Sequence, residues 1–135
     1  MTGTIGGNVI TGGSVGISTD EAQAQYVAVG GPSVSDNTVA DIQSGSSIGI
    51  SVAYSTATNN NASNVATGFY LPYGNNIVQA NTTMNTTHAY DFDCSSSTVT
   101  KNIVNDSQVA FNNSPSLIVG NPLYNVDTIQ VVSCP

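Results

Sequence analysis

Asp91 and Asp93 flank Phe92, and in an extended strand they put two carboxylates on one face. Such a pair can supply part of a calcium shell, which takes roughly six to eight oxygen ligands, but no complete calcium loop accompanies it. No cofactor is expected, and calcium is the one that Asp91 and Asp93 would admit. A solvated strand face is the plainer reading of Asp91 and Asp93. His88 is the only imidazole, and no GxSxG motif occurs. No general acid, base or nucleophile is set around it, so no catalytic residue is assigned and the chain is expected not to be an enzyme. Lys101 is the only residue that could begin an isopeptide bond to an asparagine, and the buried acid such a bond needs is not evident.

Charge narrows the partners. Lys and Arg number 1 against 8 Asp and Glu, a net charge of -7, and only 7% of residues are charged. Nucleic-acid binding requires cations to neutralise phosphates, and this chain cannot supply them. A polybasic membrane contact is excluded on the same ground. No apolar run reaches the length of a membrane-spanning helix. The start, MTGTIGGNVITGG, has neither the basic nor the apolar region of a secretory signal, nor the long apolar helix of a type IV pilin.

Cys94 and Cys134 have no CxxC spacing and no adjacent histidine, which argues against zinc. A disulfide between them is expected, with two buried thiols as the alternative. Five N-x-[ST] sequons lie at Asn61, Asn81, Asn85, Asn105 and Asn112, and these are candidate glycan acceptors. Oxidised cysteines, sequons and a nearly uncharged surface together suggest an extracellular protein.

The elements that would carry these residues are strands. Ser, Thr and Asn dominate, Glu occurs once, and 39% of residues are apolar, so propensity favours strand and turn over helix. Ile5, Val9, Val15 and Ile17 share odd positions in a glycine-rich start that, if extended, is too long for one strand of a small domain. It reads either as a hairpin through Gly12-Gly13 or as an arm that inserts into another subunit. Thr19-Asp20-Glu21 could open a helical turn. Strand candidates then follow at short intervals from residue 25 to the C-terminus. The best are Ser46 to Thr58 and the alternation Met84, Thr86, His88, Tyr90, Phe92, Cys94. Frequent turn signals and no repeat in the glycine spacing predict one all-β domain, a β-sandwich of immunoglobulin-like or jelly-roll-like type over 19–135, preceded by an arm over 1–18. A β-helix ranks below it.

In its glycine-rich N-terminal arm, small β-domain, low charge and sequons, the chain resembles archaeal extracellular filament subunits, the thread and bundling-pilus pilins, which are similar to bacterial biofilm-matrix fibre proteins. The resemblance implies donor-strand complementation: Ile5, Val9, Val15 and Ile17 would insert into the next subunit, making a head-to-tail homopolymer at the cell surface that can meet other cells or surfaces. The rival expectation is a monomeric secreted carbohydrate-binding or adhesin domain. The disulfide expectation has a direct check. Alkylation of the unreduced, denatured chain should label no thiol, and alkylation after reduction should label both Cys94 and Cys134 by intact mass; labelling before reduction would refute the bond.

Overall fold

The computed structural model describes residues 3–19, 31–42, 45–115, 118–132 and 134. Asparagine and aspartate, with glycine, tolerate the left-handed backbone region that β-branched residues avoid. This chain uses that tolerance at regular corners. Gly7, Asp36, Asn59, Ala80, Lys101 and Gly120 all have positive φ, and each directly precedes an asparagine: Asn8, Asn37, Asn60, Asn81, Asn102 or Asn121. The backbone turns sharply at each such pair and re-enters extended structure, so the chain winds through short strands without folding back on itself.

The strands are β1 (Thr4–Gly6), β2 (Val9–Thr11), β3 (Val15–Ser18), β4 (Ser33–Ser35), β5 (Thr38–Ala40), β6 (Ile48–Ser51), β7 (Thr56–Thr58), β8 (Asn61–Tyr70), β9 (Ile77–Gln79), β10 (Thr82–Asp91), β11 (Thr98–Thr100), β12 (Ile103–Asn112) and β13 (Leu123–Gln130). Every pairing among them is parallel. One sheet runs β1-β4-β7-β9-β11; the other runs β13-β12-β10-β8-β5-β2, with β6 also on β8 and β3 on β6. Neighbours within a sheet are one full coil apart in sequence. The fold is therefore a parallel β-solenoid.

This corrects the expected β-sandwich. A sandwich of the immunoglobulin or jelly-roll kind needs antiparallel pairs, and none occurs among the described residues. It also corrects the free arm over 1–18. β1, β2 and β3 pair with β4, β5 and β6 of the same chain, so residues 4–18 are the first coil. Gly12 and Gly13 form no hairpin, because the strands on either side of them join different neighbours in parallel. The single face expected for Ile5, Val9, Val15 and Ile17 is also broken. Ile17 is buried, Ile5 is half-buried, and Val9 and Val15 point outward at 78% and 44% exposure. The left-handed residues Gly7 and Gly12 reset the side-chain parity, so that Ile10 packs against the core instead of Val9. The helical turn expected at 19–21 and the strand expected over 25–29 lie essentially outside the described residues.

The core is built in files along the solenoid axis. Val34, Ala57, Val78 and Val99 line one wall. Phe69, Tyr90 and Phe111 stack on the other, with ring centroids 5.1 and 5.8 Å apart. Beside them the file passes through Gly49, Gly68, Ala89 and Ala110, where space is short: a Cβ on Gly68 would lie 2.7 Å from the Ala89 carbonyl oxygen. The six corner asparagines form a third file. Each Nδ2 donates to the Oδ1 of the next, at 2.9, 2.9, 3.0, 3.0 and 3.0 Å from Asn8 to Asn121. The same Oδ1 atoms accept the backbone N–H of the preceding rung, at 2.8 to 3.0 Å.

Removing one rung leaves several buried polar groups without partners, each costing about 1–3 kcal/mol. Asn81→Ala should therefore lower the unfolding free energy by about 3 kcal/mol. The adjacent Ala80→Gly should raise it by about 0.5–1 kcal/mol, because Ala80 holds a φ of 56° that glycine adopts without strain. Chemical denaturation of the two variants beside the parent chain checks both signs.

Candidate functional site

The asparagine file has a direction, and it is incomplete at both ends. In the interior, Asn60, Asn81 and Asn102 are at most 2% exposed, and their amides also donate to carbonyls of the coil before, such as Ala57 and Val78. At the first rung, Asn8 donates through its N–H and Nδ2, while its Oδ1 accepts no hydrogen bond from the described residues. At the last rung, Asn121 accepts from Asn102 and donates through Nδ2 to the Val99 and Val119 carbonyls. Its own backbone N–H, which every earlier rung gives to the next Oδ1, finds no acceptor among the described residues. Among the described residues, one end thus presents a spare acceptor and the other a spare donor.

Among the described residues, the hydrophobic core is open at the same two places. The partly buried apolar side chains that pack on it are Ile5 and Ile10 in the first coil and Ile118, Leu123 and Val126 in the last. Six of the ten exposed large apolar side chains among the described residues also belong to these coils: Val9 and Val15 at one end, Val119, Tyr124, Ile129 and Val132 at the other. β1 and β2 are edge strands of their sheets at the first coil, and β13 is the edge at the last. Unpaired parallel edges with apolar residues are pairing surfaces.

A second polar file runs along the outside. Asp41, Asn64, Asn85, Asp106 and Asn125 all have positive φ; Asp41 directly follows β5, and the other four bend the long strands, which skip these positions in their pairing register. Asn64 donates to Asp41 at 2.7 Å, Asn85 to Asn64 at 2.8 Å, and Asn125 to Asp106 at 2.7 Å. Beside them lies a shallow groove of about 320 Å³, lined by Ile42, Ser47, Asn64, Asn85, Thr86 and Asp106 among others. Its described lining residues include no pair fit for acid–base work.

The other residues singled out in the sequence have specific places. Cys94 and Cys134 are bonded, and the bond ties the C-terminal end back to the turn after β10. The Asp91 carboxylate accepts from Asn112, Asn113 and the Asp93 backbone N–H, and Asp93 accepts the Tyr70 hydroxyl at 3.0 Å. These partners are all donors, and no group of three His, Cys, Asp or Glu able to hold a metal occurs among the described residues. His88 is half-buried in register with Thr67 and Val109, and Lys101 is exposed at a corner. The Tyr90 hydroxyl is buried without a hydrogen-bond partner, and burial pushes its pKa well above the usual tyrosine range. It stays protonated and inert. No helix among the described residues is long and apolar enough to cross a membrane.

Of the five sequons, Asn81 is corrected by the structure: it is a ladder rung at 1% exposure with its amide fully engaged. Asn61 is half-buried with its Oδ1 enclosed, Asn105 and Asn112 are half-buried, and Asn85 is exposed. The ladder itself was missed in the sequence. Its signal was an asparagine recurring at 60, 81 and 102, in step with the aromatics at 69, 90 and 111.

Comparison with protein-family models, with curated proteins and with solved structures finds no match to this chain. When the chain is secreted from a host that attaches N-glycans, a peptide map should show Asn81 unmodified in folded material and Asn85 as the preferred acceptor. A glycan on Asn81 in correctly folded chain would contradict the ladder.

Proposed function

We propose that the chain is a structural subunit of an extracellular filament, assembled by stacking one solenoid on the next. The observation that carries the reading is the opening of core and ladder at both ends of the described residues, with different faces at each. A heterologous contact of this kind does not close on itself and propagates as a fibre. The sparsely charged, hydroxyl-rich surface and the Cys94–Cys134 bond fit an oxidising exterior. Strand donation by residues 1–18 forms no part of this reading, since residues 4–18 already pair within their own chain.

A second reading, a carbohydrate-binding face, draws on one observation. The outward hydroxyls of Ser33, Ser35, Thr56 and Thr58 lie on the neighbouring strands β4 and β7 of the shorter sheet, those of Thr98 and Thr100 lie on β11 beyond Ile77 and Gln79 of β9, and none makes a hydrogen bond to the described chain. Retention of the protein on insoluble polysaccharide would favour it.

Negative-stain microscopy of the purified, concentrated chain separates the two. The filament reading expects unbranched fibres about as wide as one solenoid, in a length distribution that grows with concentration. A monodisperse monomer by light scattering at all attainable concentrations would end it.

A further inference from the structure

We infer that the asparagine ladder runs on through the junction between copies, with Asn121 of one copy donating to Asn8 of the next. The inference rests on the filament reading and adds to it the partner surface, its polarity and its register.

The argument is one of matching groups. Along the whole file each rung gives its backbone N–H and Nδ2 to the Oδ1 of the rung with the higher number. Among the described residues, the last rung therefore lacks an acceptor and the first lacks a donor. A second copy of this chain, placed head to tail, supplies both at once. Head-to-head stacking would oppose two Oδ1 acceptors, and tail-to-tail stacking two N–H donors, so the ladder admits one polarity. Asparagine at a buried polar position fixes register in just this way, since any slip leaves unpaired groups.

The pairing pattern then sets every other contact. Thr11 lies over Ala40, Ser63, Met84, Asn105 and Tyr124 in one continuous file. Continuing it places Tyr124 of one copy against Thr11 of the next. By the same rule Leu123 meets Ile10 and Thr128 meets Val15. Leu123 and Ile10 are among the half-buried apolar residues at the two ends of the core, so the junction also covers the core there. Val9 and Tyr124, 78% and 58% exposed in the single chain, come to lie beside or within the new pairing.

The test uses two measurements on the full chain. Asn8 is exposed and at the end of the file, so Asn8→Ala should fold with a circular dichroism spectrum like the parent's and raise the critical concentration for fibre growth about tenfold. In the second, Thr11→Cys and Tyr124→Cys chains are mixed under mild oxidation. The mixture should give a Thr11–Tyr124 cross-linked pair, and a Thr11→Cys with Asp127→Cys mixture should not. Fibres that form with unchanged critical concentration in Asn8→Ala, or cross-links only between like chains, would overturn the ladder junction and leave the filament reading standing. A parent chain that never polymerises would overturn both.

Discussion

Every coil of this molecule turns a corner in its own interior, and the buried asparagine amide is what makes the corner possible. Where the chain leaves the short sheet for the long one, backbone carbonyls and N–H groups point into a space that water does not reach. Left unpaired, each would cost on the order of 1–3 kcal/mol. The asparagine amide has both kinds of partner on one planar group. Asn81 serves as the example: its Nδ2 meets the Ala57 and Gln79 carbonyls, and its Oδ1 takes the Asn60 backbone N–H. It thus satisfies the corner of its own coil and locks the coil beside it. Stacking of Phe69, Tyr90 and Phe111 and the valine file opposite can then proceed at a common register.

A solenoid of this kind is close to one-dimensional in its energetics, because each coil touches only its neighbours. Interior coils are satisfied on both sides and end coils on one. This is why exposed valine, isoleucine and tyrosine collect at the two ends, and why half-buried core residues occur there. The disulfide acts on the same weakness at one end. By joining Cys134 to Cys94 it holds the terminal segment to the turn after β10 and limits fraying of the coil that has only one neighbour.

Some of this was legible in the sequence and some was not, for physical reasons. Low Glu and Lys with abundant Thr, Val and Ser meant strands, and strands are what formed. Two cysteines without a metal spacing meant a bond, and the bond is present. The sheet topology was hidden because apolar–polar alternation has period two in parallel and antiparallel strands alike. The repeat was hidden because its length drifts: successive ladder rungs are 29, 23, 21, 21 and 19 residues apart. Glycine was the wrong marker to follow, since four of the six corner positions that need positive φ are filled by Asp36, Asn59, Ala80 and Lys101. Asn81-Thr-Thr looked like a glycan acceptor because a ladder rung followed by the start of a strand spells the same three letters. The N-terminal face was misassigned because alternation was counted straight through Gly7 and Gly12, where the backbone changes hand.

Cross-strand nuclear Overhauser contacts in the folded chain test the parallel ladder most directly. The account predicts parallel-sheet contacts between residues one coil apart, Val65 with Thr86 and Thr86 with Ser107, together with contacts from the Asn60 side-chain amide to Asn81 and from Asn81 to Asn102. Close Hα–Hα contacts between sequence-adjacent strands, the mark of antiparallel hairpins, with no contacts between the asparagine amides, would contradict it.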